Sequence, residues 1–217
     1  MISNKRTTDA TVEPVTPTEL DTHLRGDGAL SSNDGTTLTT LITSAREYVE
    51  EYTRRALLSQ TWTLVMDAWG ANDGNLGWWD GVKEGAISQG NKGYIELPVG
   101  PLISVTSLST YDSDNASTVF SSSNYFLDTN AVPGQVILNT GLVWPAFTRT
   151  RNGIEIIYVA GYGTVATSVP RPLKVADTQL AAHWYENREL VSKSGKERLL
   201  APMHVQAILD QYRVAKL

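Results

Sequence analysis

Apolar residues recur at Leu38, Leu41, Ile42, Ala45, Val49 and Tyr52, the spacing of a helix with one buried stripe. The pattern predicts a helix from about Thr36 to Arg55, with Asp34 as a plausible cap and Arg46, Glu47, Glu50 and Glu51 on the face opposite the buried stripe. A shorter helix is signalled upstream by Thr16-Pro17-Thr18-Glu19. A threonine cap, a proline at the first helical position and a glutamate three residues on together satisfy free backbone N–H groups. Leu20 and Leu24 then share a face. From Gln60 the period falls to two: Trp62, Leu64, Met66 and Ala68 alternate with Thr61, Thr63, Val65 and Asp67, as in a half-buried strand.

Further short strands are predicted at Tyr94 to Leu97, Ile103 to Tyr111, Thr118 to Phe120, Tyr125 to Leu127, Gln135 to Leu138 and Ile154 to Val159. Pro98, Asp112 to Asn115, Pro133-Gly134 and Trp144-Pro145 divide them. Between Gly70 and Gly93 a glycine-rich stretch carrying Trp78-Trp79 suits a long surface loop or loose hairpin. At Val169-Pro170-Arg171-Pro172 the chain restarts as a helix, with Leu173, Ala176, Leu180, His183 or Trp184, and Asn187 along one face, and a last helix is expected from Met203 to Tyr212. The fold class read from this is α+β. Residues 1–58 and 169–217 form a helical module, and residues 59–168 form an inserted antiparallel β module, a sandwich or small barrel.

Composition narrows the functional classes. The 217 residues include no cysteine, which removes disulfides and thiolate zinc sites. No apolar run reaches the roughly 18 residues of a membrane span, and Met1 to Thr11 is polar, without a signal-peptide core. The net charge of -5 is unevenly spread. Residues 59–168 hold four basic and nine acidic side chains, whereas residues 169–217 hold eight basic and five acidic. Sequence-blind duplex binding needs several cations on one surface, and the acidic middle would repel DNA. The basic end reads as a solvated helix face or a docking segment for an acidic partner.

Candidate chemistry is sparse. His183 and Glu186 have the spacing of a helix-borne metal pair, but no further ligands are marked, and His183 beside Trp184 reads as packing against the second helix. Gly161-Tyr162-Gly163 lacks the third glycine of a dinucleotide fingerprint and reads as a turn. Ser194-Gly195-Lys196 lacks both the leading glycine and the hydroxyl residue of a phosphate loop. No nucleophile elbow occurs, and Arg25-Gly26-Asp27 is a chance tripeptide in a turn. Trp78-Trp79 remains: the pair covers the β module's own core, contacts a partner, or stacks on a sugar.

Several segments in order carry a family likeness: Glu13-Pro14-Val15-Thr16, Tyr52-Thr53-Arg54-Arg55-Ala56-Leu57, Gln60-Thr61-Trp62, Pro101-Leu102-Ile103-Ser104-Val105, Pro133-Gly134-Gln135-Val136, Trp144-Pro145, Val159-Ala160-Gly161-Tyr162-Gly163 and Ala182 to Glu189. In these the chain resembles the head-to-tail connector proteins of tailed phages, also called adaptor or head-completion proteins, in a branch with a β insertion. The resemblance implies a structural protein of the virion neck, assembled in the host cytoplasm, with no catalysis, cofactor or metal. Copies would form a ring of about twelve beneath the portal protein, extend the DNA channel without sequence-specific binding, and offer a surface to a stopper or tail-terminator protein. Trp78, Trp79, Arg198, Arg213 and Lys216 are the expected partner contacts, and the chain's C-terminal segment is expected to order only on docking. The other reading is a carbohydrate- or receptor-binding β module on a helical base, with Trp78 and Trp79 as the platform.

Overall fold

The structure, a computed structural model, describes residues 2–69, 93–187 and 201–214. Its fold is α+β, with two antiparallel sheets and five helices among the described residues. The chain divides into two compact units. One comprises the described residues of Met1–Asp9 and Gln60–Ala160, the other those of Ala10–Ser59 and Gly161–Leu217.

The described residues of the first unit form strands, with one 3-10 turn at Ser122–Asn124. Its strands are β1 (Ile2–Thr8), β2 (Gln60–Met66), β3 (Tyr94–Glu96), β4 (Leu102–Tyr111), β5 (Ser117–Val119), β6 (Tyr125–Asp128), β7 (Gln135–Leu138) and β8 (Ile154–Ala160). Five of them form one sheet in the order β1-β2-β8-β4-β5, and three form the other in the order β3-β7-β6. Among the described residues both sheets have open edges and form no closed barrel. The alternation predicted from Gln60 holds: Leu64 and Met66 are buried, and in β8 the same face buries Ile154, Ile156 and Tyr158. The small sheet contributes Ile95, Tyr125 and Val136 to the buried set. Tyr158 lies inside, and desolvation raises its hydroxyl pKa to about 12 while that hydroxyl donates to Asn4 Oδ1 at 3.2 Å, tying β8 to β1.

Strand β1 lies in a polar stretch whose alternation gives no signal. Every residue of it is exposed or half-buried, because an edge strand has a neighbour on one side only.

The second unit holds α1 (Pro17–His23), α2 (Ala29–Asn33), α3 (Gly35–Thr53), α4 (Arg171–Glu186) and α5 (Met203–Asp210). The box at α1 forms as the sequence predicts: Thr16 N–H donates to Glu19 Oε2 at 2.7 Å and Glu19 N–H to Thr16 Oγ1 at 3.2 Å. Asp34 stands at the cap position of α3 without a capping bond, and its Oδ2 accepts instead from the Tyr185 hydroxyl at 2.8 Å. Leu38, Ile42, Ala45 and Val49 of α3 meet Leu173, Ala176 and Leu180 of α4 and Val205 and Leu209 of α5 in one core. Ala201, Val205 and Leu209 are fully buried there.

The polar face assigned to α3 also needs correction. Arg46 is 1% exposed and Glu50 is buried. Arg46 Nε donates to Glu13 Oε2 at 2.8 Å and Nη1 to Glu50 Oε2 at 3.0 Å, while Glu50 Oε1 accepts from the Leu57 N–H at 2.8 Å. A guanidinium can be buried when its donors find carboxylates in this way. The pairing joins the segment before α1, the middle of α3 and the turn that follows it.

The glycine run after β8 is a packing device. Ser59 N–H donates to the Gly163 carbonyl at 2.9 Å and Tyr162 N–H to that of Leu57 at 3.4 Å. Gly161 has φ +143°, and a Cβ there would collide with the backbone of Leu58 and Ser59. Only glycine fits both demands.

Candidate interaction surface

Of the expected partner contacts, Trp78, Trp79, Arg198 and Lys216 lie outside the described residues. Arg213 is exposed at the surface, with its guanidinium 5.4 Å from the centre of the Tyr52 ring. The Tyr52 hydroxyl donates to Asp210 Oδ1 at 2.6 Å, and Arg55 Nε donates to the Tyr212 carbonyl at 2.6 Å. The end of α5 is thus fastened to the end of α3, and Arg213 shares its charge with an aromatic face of its own chain.

The β unit carries a different kind of feature. Trp69, just past β2, stacks on Trp144 with ring centres 4.9 Å apart and planes 12° from parallel, and Phe147 meets Trp69 edge-on. Trp144 also touches Phe120, which stacks on Tyr125 of β6. The segment from Asn139 to Gly153, between β7 and β8, has no regular structure and is held by bonds to its surroundings. Asn139 N–H donates to the Asn124 carbonyl at 3.0 Å, Trp69 Nε1 to the Pro145 carbonyl at 2.6 Å, and Asn152 N–H to Asp67 Oδ1 at 2.7 Å. Arg149 lies over the Tyr111 ring at 5.1 Å. A strap fixed at so many points holds its side chains in place without a ladder.

Some residues next in sequence to these rings are exposed. Val119, Phe126 and Val143 are the chain neighbours of Phe120, Tyr125 and Trp144, and they are 66%, 52% and 81% exposed. Leu142 beside them is exposed as well. Phe126 follows Tyr125 along β6 and so faces away from it, and exposed apolar residues occurring singly are ordinary on a protein surface.

The described residues assemble no reactive constellation. A recess of about 350 Å³ between α1 and α4 is lined by Glu19, His23, Lys174 and neighbours, with Lys174 Nζ 3.6 Å from Glu19 Oε1 at its rim. Its two hydroxyls donate to backbone carbonyls, Thr22 Oγ1 to Thr18 at 2.9 Å and Thr178 Oγ1 to Lys174 at 2.8 Å. His183 Nδ1 lies 3.2 Å from Asn187 Nδ2, and the Trp184 next to it packs edge-on against Tyr48 of α3. Among the described residues no group of three or more His, Cys, Asp or Glu could hold a metal ion. Asp177 is completely buried in α4, and neither of its oxygens has a hydrogen-bond partner. Burial, and next the charge of Glu13, hold its carboxyl well above the usual carboxylate range, with Glu50 adding to the rise and Arg46 and Lys174 opposing it.

The architecture matches solved particle structures over its whole length. A chain in the neck of an empty gene transfer agent (GTA) particle, computed with C6 symmetry, aligns with TM-score 0.71 and 21% identity, covering 99% of this chain and 97% of that one. A chain in the virion of a native GTA particle aligns with TM-score 0.73 and 23% identity, covering 99% and 96%. For a chain in the neck of a native GTA particle computed with C12 symmetry the values are 0.68 and 23%, over 100% and 97%. No family model and no curated protein matches the chain. The fold is shared with these chains.

At such identity the likeness speaks for the fold, and the surface must be read from this chain's own residues. Sequence reasoning singled out Trp144-Pro145 as a motif but not the stack it makes with Trp69, 75 residues earlier. The available signal was local: three aromatic residues among Trp69, Trp144 and Phe147 border turn-rich stretches where a core would not be expected.

Proposed function

We propose that this protein is a structural component of the neck of a phage-like particle, the adaptor between head and tail. In this reading copies form a ring beneath the portal protein, lengthen the DNA channel, and present a surface to a stopper or tail-terminator protein. The observation that carries the reading is the near-complete two-way coverage between this chain and chains in GTA particle structures, which extends over both compact units rather than one module. Exposed Leu142 and Val143, which precede Trp144 in the chain, fit a protein that works by contact. The excess of acidic side chains in residues 59–168 suits a wall along which DNA slides without sticking. The reading assigns the chain no catalytic step.

The test is electron microscopy of lysates from a particle producer whose copy of this gene carries an early stop codon. Filled heads and finished tails should accumulate unjoined. Normal, joined particles would overturn the reading.

A further inference from the structure

We propose that Arg54, Arg55 and Arg213 form one site, where the end of α3 meets the chain beyond α5, and that it takes an acidic segment of a partner protein. The inference rests on the neck reading and deepens it by naming a contact and the chemistry it holds. Two bonds build the site. Val214 N–H donates to the Thr53 carbonyl at 3.1 Å and Arg55 Nε to that of Tyr212 at 2.6 Å, so residues 53–55 and 212–214 lie side by side. The charge count along the chain marks only the C-terminal part as basic, and the fold adds to it two arginines from the far end of α3.

Arg54 and Arg213 are exposed and Arg55 is half-buried. Among the described residues none of the three has an ion-pair partner, although acids stand close in sequence: Asp210 accepts from the Tyr52 hydroxyl, and Glu51 is exposed and pairs with none of them. Two of the guanidiniums are already held. Arg55 donates to Tyr212 and, through Nη1 at 3.3 Å, to the Tyr162 hydroxyl, while Arg213 rests over the Tyr52 ring. Each keeps further N–H donors in the planar fork that matches a carboxylate. Arg54 has φ +57°, the left-handed conformation that glycine adopts most easily after a helix. A long cation there is explained by its charge and not by the turn. Cations gathered without counter-ions repel one another, and a carboxylate among them relieves this. The whole chain carries -5, and residues 59–168 hold nine acidic side chains against four basic, so a DNA duplex is repelled as it approaches. A short acidic segment of another protein meets the arginines alone, at contact distance.

The test uses the purified full chain and a fluorescein-labelled poly-glutamate peptide, followed by anisotropy at rising salt. The wild type should bind, and more weakly as salt screens the charges. Arg54→Gly is the informative variant, because glycine suits that backbone conformation: its melting temperature should be kept or raised while its affinity falls about fivefold. Arg54→Gly/Arg213→Gln should bind about tenfold more weakly or worse. Arg55 stays in place in both, since its bonds hold the C-terminal segment. No binding by the wild type, or equal binding by Arg54→Gly, would overturn the proposal. A lowered melting temperature with binding retained would overturn it too, leaving the arginines to serve the carbonyl ends of their own helices. A DNA duplex bound more tightly than the peptide, and lost in the same variants, would overturn the acidic-protein assignment in favour of phosphate. Failure of the neck reading is seen separately, in joined particles that lack this protein.

Discussion

The two units of this chain treat polarity in opposite ways. The helical unit takes charge inside: Arg46 is 1% exposed between Glu13 and Glu50, and Asp177 and Asp21 are buried as well. The β unit, among its described residues, buries no carboxylate or guanidinium, and it leaves Val119, Phe126, Leu142 and Val143 exposed. Buried ion networks favour one specific arrangement of the elements they join, whereas exposed apolar groups gain only when something covers them. The helical unit thus fixes its arrangement by internal charge pairing, a means the described part of the β unit does not use.

The sharpest way to break this contrast is at Arg46. Arg46→Met leaves Glu50 buried without its counter-charge, and stability should fall by about 3–4 kcal/mol in chemical denaturation. A loss under about 1 kcal/mol would mean that the network does not organise the unit. Gly161→Ala comes next, because its Cβ would strike the backbone of Leu58 and Ser59 at a left-handed φ. A loss of about 2–3 kcal/mol is expected.

Asp177→Asn sharpens the comparison through pH. The folded-state pKa of Asp177 is raised, so the folded chain keeps a proton that the unfolded chain releases. Its contribution to stability is complete below the ordinary carboxylate pKa and is lost as pH rises through the folded value. Asp21 runs the other way: the Ser31 N–H, at 2.7 Å, is the largest cause that lowers its pKa, so its contribution is lost as pH falls. Denaturation midpoints of the wild type should therefore decline on the alkaline side of that first window. Asp177→Asn should flatten the decline and leave the acid limb unchanged; an unchanged alkaline limb would place Asp177 outside the effect.

Val143→Ser carries the smallest expected change in stability, within about 0.5 kcal/mol, as for other exposed positions. The same variant should lower the yield of joined particles, measured by counting in micrographs. Normal yield would remove Val143 from the contact surface.

Much of the local structure is legible in the sequence. The capping box at Thr16, the stripe of α3 and the alternation of β2 each arise from neighbours a few residues apart. What the sequence hides is long-range pairing. Arg46 borders the apolar stripe of α3, and only Glu13, 33 residues upstream, makes its burial tolerable. Strand β1 is polar because it is an edge, so the hydrophobic period that marks β2 is missing from it. The Trp69–Trp144 stack likewise joins two ends of the β unit that no local pattern connects. The interaction surface was therefore the least readable part, being defined by what remains uncovered after such pairings form.

The central claim, a ring of this chain at the junction of head and tail, is tested most directly by cryo-electron microscopy of the necks of particles from a producer of this protein. The account predicts a symmetric ring of copies between portal and tail, into whose density both compact units fit. A neck whose density is accounted for without this chain, or copies of it found elsewhere in the particle, would contradict it.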